Sequence, residues 1–370
     1  MKKLLVGIDA SRSNVKQMTG TEYYSYEIIK NLVNFDEVDF RLYSKSPLHY
    51  LPQRANLQKR VMKFPRLWSQ IRLSTEILKN PPDVLFEPAH TIPLYHGKRT
   101  VVTLHDIGFK YFPALYTPLE RFYHNFCMGF SAKHATKIIA VSEATKNDLI
   151  KVYRVEAKKI RVIYHGYDKT KYFPASKAAK VAPEIAKLRP YIYFIGRLEA
   201  KKNVKNLIKA FGSLRQDKTI SHKLVLAGRP GYLYEEIKSE INRLPEAIRK
   251  DVIETGYIAD EQVGEYMRFA SIFAFPSYFE GFGMPLVEAM ASGVPVVASD
   301  RTSIPEIVGS AGLMSSPDDD RDFANNLASV IKNKGLRSDL IEAGLKRAKS
   351  FDWKRCAHET LEEIVEVGRS

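Results

Sequence analysis

Apolar residues along this chain gather in short runs, and between the runs lie longer stretches whose apolar positions fall on one helical face. "KLLVGI" (3–8) reads as a strand and "TEYYSYEIIKNLV" (21–33) as the helix after it. "DVLF" (83–86), "TVVTL" (100–104), "KIIAV" (137–141) and "IRVIY" (160–164) repeat the strand signal. A lysine- and alanine-rich piece, "ASKAAKVAPEIAKLRP" (175–190), interrupts the pattern, which then restarts. "YIYFIG" (191–196), "KLVLAG" (223–228), "DVIETG" (251–256), "SIFAFP" (271–276) and "VPVVAS" (294–299) are strands, with helices such as "NVKNLIKAFGSL" (203–214) between them. Continuous apolar strands alternating with helices imply parallel sheets covered on both faces. The expected architecture is α/β: two Rossmann-like, doubly wound domains in series, 1–172 and 173–350, facing across a cleft and joined near 168–190. The tail, "FDWKRCAHETLEEIVEVGRS" (351–370), is a further amphipathic helix, which either crosses back onto the first domain or caps the second.

Composition narrows the class. A length of 370 residues exceeds one ordinary core and suits two domains. Cys127 and Cys356 stand alone and far apart, which excludes a disulfide framework or a thiolate zinc site and fits a reducing cytosol. The opening "MKKLLVGIDAS" has a short apolar run that Asp9 ends too early for a signal peptide. No stretch reaches the roughly 18 apolar residues of a spanning helix, so a cytoplasmic protein is expected, touching a membrane from outside if at all. Charge is uneven: residues 1–176 hold 28 Lys+Arg against 15 Asp+Glu, and residues 177–370 hold 29 against 27. The first half should therefore meet something anionic. Zinc-finger spacing and RRM aromatic strings are absent, so nucleic acid is not the expected partner.

In parallel sheets, ligands sit beyond the carboxyl ends of the strands. Those ends here are His105-Asp106, Gly196-Arg197, Gly228-Arg229 and Pro276-Ser277. In "EGFGMPLVEAM", Pro285 suits the first helical position, and Gly281 and Gly283 leave backbone amides open to an anion at the helix start. Glu288, about one turn in, is an acceptor-only carboxylate able to hold a ribose diol, and Glu280 could take hydroxyls beyond the phosphates. That order of ribose, pyrophosphate and polyol describes a nucleotide sugar. The plainer alternative is a solvated loop glutamate and an ordinary first-turn helix charge. "FIGRLEAKKNV" adds Arg197, which can fork to phosphate oxygens, and Lys202, a point charge, after the sharp turn at Gly196.

"GRLEAKKN" followed by "FEGFGMPLVEAMASGVPVVAS" resembles the family 4 retaining glycosyltransferases, which have the GT-B fold. The resemblance spans nearly the whole chain: "TGTEYYSYEIIKNL", "TVVTLHD", "IIAVSEATKNDL", "VIYHGYD" and "VLAGRPG" fall in the family's order. It implies that Arg197 and Lys202 hold the diphosphate, Glu288 the ribose and Glu280 the sugar hydroxyls. Amides near Phe282, Gly283 and Met284 would contact sugar or phosphate, and His105 of the first domain would reach the donor sugar. Gly20 lies where the family brings backbone close to phosphate or acceptor. Two departures stand out: Thr21 and Glu22 follow Gly20 where a second small residue is usual, and His165 replaces the asparagine of the family's "NG.D" segment.

The reading is a hexosyltransferase using no cofactor and no bound metal, with GDP-mannose favoured as donor over a UDP-sugar. The acceptor would be a saccharide or a lipid-linked one in cell-surface polysaccharide synthesis. An NDP-sugar 2-epimerase shares the fold but does not suit the glutamate pair, and a dead adaptor protein would have lost Arg197, Lys202, Glu280 and Glu288. Residues 53–72, where cations mix with Phe64, Leu67, Trp68 and Ile71, have the composition of a segment lying on an anionic membrane. The alternative there is a solvated basic surface over a buried Trp68.

Overall fold

The computed structural model describes residues 3–15, 18–176 and 180–370 and divides into two units, Met1–Gly166 with Asp352–Ser370, and Tyr167–Phe351. Among the described residues the first unit holds a seven-stranded sheet in the order β3-β2-β1-β4-β5-β6-β7. Its strands are β1 (Leu4–Asp9), β2 (Val38–Ser44), β3 (Leu57–Val61), β4 (Val84–Glu87), β5 (Thr100–Leu104), β6 (Lys137–Ala140) and β7 (Ile160–Val162). Every pairing is parallel, with Ile8 opposite both Leu42 and Phe86 at the centre. The second unit holds six strands in the order β10-β9-β8-β11-β12-β13. These are β8 (Tyr191–Ile195), β9 (Lys223–Ala227), β10 (Val252–Gly256), β11 (Ile272–Phe275), β12 (Val296–Ser299) and β13 (Gly312–Ser315), again all parallel. This is the α/β architecture that the apolar runs imply.

Three strands carry no continuous apolar run and escape the sequence pattern: β2, β3 and β13. In β2, Asp39 and Arg41 break the run and are only half-buried, while Phe40 and Leu42 point into the core. β3 and β13 are edge strands, covered less completely, and β3 buries only Leu57 fully. Edge position removes the need for apolar residues on both faces.

In the first unit, helix Gly20–Leu32 follows β1 and buries Tyr24, Ile28, Ile29 and Leu32. Glu22 accepts from the Thr19 backbone N–H at 2.8 Å, so the acidic residue that departs from the family pattern serves as a helix cap. The last helix, Trp353–Arg369, lies against this first helix and the sheet of the same unit. It buries Trp353, Ala357, Leu361 and Ile364, and Asp352 caps it by accepting from Lys354 and Arg355 N–H. Lys137 of β6 reaches Glu363 at 2.8 Å.

The segment expected to lie on a membrane is partly committed elsewhere. Trp68 is 2 % exposed, and its Nε1 donates to the Met62 carbonyl at 2.7 Å. Arg60 pairs with Glu76, and Lys59 donates to the Leu51 carbonyl at 2.7 Å. Trp68 is therefore a core residue, held under the basic surface, and cannot serve as a bilayer anchor.

Gly166 closes the first pass of the chain through this unit. A Cβ there would lie 2.1 Å from the Trp353 amide nitrogen, where the last helix begins. Because the clash is with backbone, Gly166→Ala should destabilise the protein by about 2–3 kcal/mol or more, read as a lowered urea midpoint at unchanged slope.

Candidate active site

The second sheet reverses its strand order between β8 and β11, so the loops leaving these two neighbours diverge and open a crevice at their carboxyl ends. Gly196-Arg197 leaves β8 and Pro276-Ser277 leaves β11 at this point. Gly196 takes φ +152 and Gly228, after β9, takes φ +144. A Cβ on Gly228 would stand 1.8 Å from the Gly196 carbonyl oxygen, so the two strand-end turns pass backbone on backbone. Arg197 follows with its stem against Gly231 and its guanidinium exposed, 3.9 Å from the Glu199 carboxylate.

Lys202 ends a short 3-10 turn, Ala200–Lys202. The next residue, Asn203, is left-handed at φ 53 and buried, and its amide donates to the carbonyls of Pro317 at 2.7 Å and Pro276 at 3.3 Å. The Tyr278 N–H donates to the Lys201 carbonyl at 2.9 Å. These bonds bind the loop after β8 to the loop after β11 and bring Lys202 Nζ to 2.6 Å from Glu280 Oε1, above the Phe275 ring. The Glu280 N–H donates to Thr302 Oγ1, and Ser303 Oγ donates to the carbonyls of Glu280 and Phe282, each at 3.0 Å. The glutamate loop is thus held at both backbone and side chain.

Gly283, left-handed at φ 93, starts the helix Met284–Ala291. Pro285 is its second residue rather than its first, a position whose N–H likewise lacks an intrahelical partner. The Phe282 ring packs edge-on against Phe351, so this residue presents backbone to the crevice and its side chain to the core. Glu288 lies half-buried on this helix. Burial raises its pKa to about 7, against the opposing pull of the Tyr172 hydroxyl and the Lys171 ammonium. Beside this helix, at the end of β11, Ser277 Oγ is buried without a hydrogen-bond partner.

The remaining expected residues belong to the first unit. His105 leaves β5 and is buried, and its ring Nε2 meets the Pro88 carbonyl at 2.8 Å. A carbonyl only accepts, so the proton sits on Nε2 and Nδ1 is left as an acceptor. Burial lowers the His105 pKa to about 4, and that of His90 to about 3, so both rings are neutral at ordinary pH. His90 stands at φ 62 and takes the His105 N–H on its Nδ1 at 3.3 Å. His165, at the family's asparagine position, stacks on Trp353 and Tyr24. Asp106 accepts from the Gly108 N–H at 2.8 Å and shapes the turn after β5. Gly20 is the first residue of its helix.

The structure therefore gathers Gly196, Arg197, Lys202, Glu280, Gly281, Phe282, Gly283, Met284 and Glu288 at one switch point of the second unit, with His105 and Gly20 in the first. Sequence reasoning passed over Asn203, Thr302, Ser303, Tyr172 and His90. Asn203 and His90 had a signal: polar residues tolerant of left-handed backbone, one just after the lysines and one just past a strand end. Thr302, Ser303 and Tyr172 had none, because their contacts are remote in sequence. An open groove of about 800 Å³ elsewhere in the first unit, lined by Phe35, Arg161 and His358 among others, includes none of the expected site residues.

Two family models match, Glycosyltransferase Family 4 over residues 18–171 and Glycosyl transferases group 1 over residues 176–347. The chain belongs to the family 4 glycosyltransferases of GT-B fold and is a glycosyltransferase. It is similar to the O-antigen chain mannosyltransferase B of Escherichia coli, 28% identical over 93% of this chain and 95% of that protein. A Campylobacter jejuni relative, the N-acetylgalactosamine-N,N'-diacetylbacillosaminyl-diphospho-undecaprenol 4-alpha-N-acetylgalactosaminyltransferase, is 25% identical over 92% of this chain and 88% of its own. Among solved structures, Anabaena HepE in complex with UDP aligns at a TM-score of 0.72, with 20% identity, over 99% of this chain and 100% of that one.

Two outcomes follow from this geometry. Lys202→Ala, Glu280→Ala and the double variant should give a coupling of about 1–3 kcal/mol in unfolding free energy without any donor, since each single change strands its partner. Independent, additive effects would mean that the pair is not formed in solution. Glu288 holds a proton in the native protein that the unfolded chain releases above about pH 4.5. Its contribution to stability should thus fall as pH rises from 4.5 toward 7, by about 1–3 kcal/mol, and Glu288→Gln should remove that slope from the denaturation profile.

Proposed function

We propose that the protein transfers a hexose, mannose in the first instance, from a nucleotide sugar to a saccharide or lipid-linked acceptor in cell-surface polysaccharide synthesis, with retention of anomeric configuration. The observation that carries this reading is the pairing of Lys202 with Glu280 at the switch point where Arg197 follows β8 and the Glu288 helix follows β11. The donor diphosphate would take Lys202 and Arg197, supported by the backbone amides near Gly283 and Met284. Glu280, released from Lys202, would then hold sugar hydroxyls, and Glu288 the ribose diol. Neutral His105 would accept a sugar hydroxyl on Nδ1. The Escherichia coli relative, a mannosyltransferase by name, supports mannose as the sugar; GDP-mannose is the favoured donor, while the UDP complex of HepE keeps a UDP-sugar as the alternative. The lipid diphosphate in the Campylobacter relative's name supports a polyprenyl-linked acceptor, met on the cytoplasmic face of a membrane.

Substitution would occur on one face of the sugar through an oxocarbenium-like transition state. The departing phosphate would help to take the acceptor proton, and the two cations would stabilise the charge that grows as the glycosidic bond breaks. No metal step is required in this scheme, because the cations do that electrostatic work.

A mass-spectrometric screen of GDP-mannose, UDP-glucose and UDP-GlcNAc with saccharide and polyprenyl-diphosphate acceptors tests the reading, with mannosyl transfer from GDP-mannose expected and unimpaired by EDTA. Loss of activity on chelation with rescue by manganese would overturn the metal-free scheme. Arg197→Ala should lower turnover at saturating donor by roughly a hundredfold, the effect of removing one charge-stabilising partner worth about 3 kcal/mol. Unchanged turnover would remove Arg197 from the clamp.

A further inference from the structure

The Glu288 carboxyl is met by a segment far from it in sequence. Near the start of the second unit, residues 168–174 make a tight turn and then run beside the Glu288 helix. Asp168 Oδ1 accepts from the Thr170 N–H at 2.9 Å, and the Asp168 carbonyl accepts from the Tyr172 N–H at 2.9 Å. Tyr172 is buried, and its hydroxyl donates to the Glu288 carboxylate.

One residue fixes the backbone on both sides of Tyr172. Arg268, the last residue of the helix Asp260–Arg268, donates from Nη2 to the Lys171 carbonyl and from Nε to the Phe173 carbonyl, each at 3.0 Å. Its guanidinium also lies over the Phe173 ring, 3.7 Å from the centroid. From the same helix, Asp260 pairs with the Lys171 ammonium. Gly264 lets the Lys171 carbonyl approach so closely that a Cβ there would stand 2.6 Å from its oxygen. Beyond Tyr172, Pro174 packs on Gly293, just past the Glu288 helix, where a Cβ would lie 3.4 Å from Pro174 Cβ. The segment is thus strapped between two helices. A tyrosine gripped at both flanking carbonyls has few ways left to move, so its hydroxyl is presented to Glu288 at a set place.

The groups that face Glu288 are Tyr172, Lys171 and Asp168 on the strap, Asp260 on the neighbouring helix and Tyr193 on β8. Lys171 is engaged by Asp260, and the Tyr193 hydroxyl is buried without a hydrogen-bond partner. The bond to the carboxyl comes from Tyr172. An ionised carboxylate has room for about four donors, so one tyrosine bond orients it and leaves lone pairs for a diol.

We propose that Tyr172 is a positioning residue for donor binding: held by the strap, its hydroxyl orients the Glu288 carboxylate for the donor ribose. This rests on the ribose role proposed above for Glu288. The carboxylate accepts both ribose hydroxyls better than the protonated acid does, so nucleotide affinity should rise as pH passes the Glu288 value of about 7. Tyr172 bonds the ionised form, and its loss should move that midpoint upward.

The test is calorimetric titration of the full chain with bare GDP and UDP from about pH 6 to 9. Tyr172→Phe should raise the midpoint by roughly half a unit to one unit and weaken binding at pH 7 by about two- to fivefold, with a smaller loss at pH 9. Without nucleotide, the fall in stability with pH that Glu288 causes should extend to higher pH in the same variant. Arg268→Gln, which loosens the strap and keeps the hydroxyl, should shift the midpoint in the same direction. Glu288→Gln should weaken binding and leave only the titration of the diphosphate itself, and adding Tyr172→Phe to it should change nothing further. Affinity lowered alike at every pH, with the midpoint unmoved, would make Tyr172 a merely structural residue and overturn the proposal. A wild-type midpoint in Arg268→Gln would remove the strap from it. Wild-type binding by Glu288→Gln would instead overturn the ribose reading, and this proposal with it.

Discussion

The second unit depends on one close approach of backbone to backbone, where Gly228 runs against the Gly196 carbonyl. Parallel strands lie less than 5 Å apart, and the turns leaving β8 and β9 must clear each other within that spacing. Without side chains at these two positions the turn after β8 can fold over its neighbour. Leu198 then bridges to Pro230, and Arg197 and Lys202 come to the crevice side. A side chain at Gly228 would move both cations at once, because they follow on the same short turn.

The site built on this turn is made of opposed charges held before any ligand arrives. Lys202 and Glu280 satisfy each other, so neither bears the full cost of an unpaired charge in a half-buried place. A diphosphate brings its own charge to Lys202 and frees the glutamate for hydroxyls. Glu288 follows the opposite logic: burial keeps its proton on until near neutrality, which lowers the cost of an empty site. In the first unit, half-buried His90 lies close to the buried His105 and His165, and desolvation lowers the pKa of each. Three charged imidazoles at that spacing would repel one another. Neutral rings can pack and donate single, directed hydrogen bonds, such as that from His105 to Pro88.

Much of the parallel architecture was legible along the chain. Strands such as β5, β8 and β9 are buried on both faces and so are mainly apolar along their length, which leaves a run in the sequence. The residues named at strand ends were legible for the same reason, since the strand-end rule needs only the runs and the polar residues that close them. The edge strands β3 and β13 were not, because partial cover frees their composition. Asn203, Thr302 and Ser303 were equally hidden: they act through carbonyls and amides from 21 to 114 residues away, and no local pattern encodes such a meeting.

The sequence by itself determined the periodicities, the charge imbalance of the first half and the glycine, arginine, lysine and glutamate spacings that mark the family. These are local properties, dictated by which face of each element must leave water. Tertiary structure decided the rest. It placed the last helix in the first unit, where Trp353 packs on Gly166 and Tyr24, although its apolar stripe would have suited either sheet. It buried Trp68 and exposed Phe122, although both belong to apolar stretches rich in cations. An amphipathic pattern states only that one face leaves water; which surface covers it depends on the packing of segments far apart in the chain.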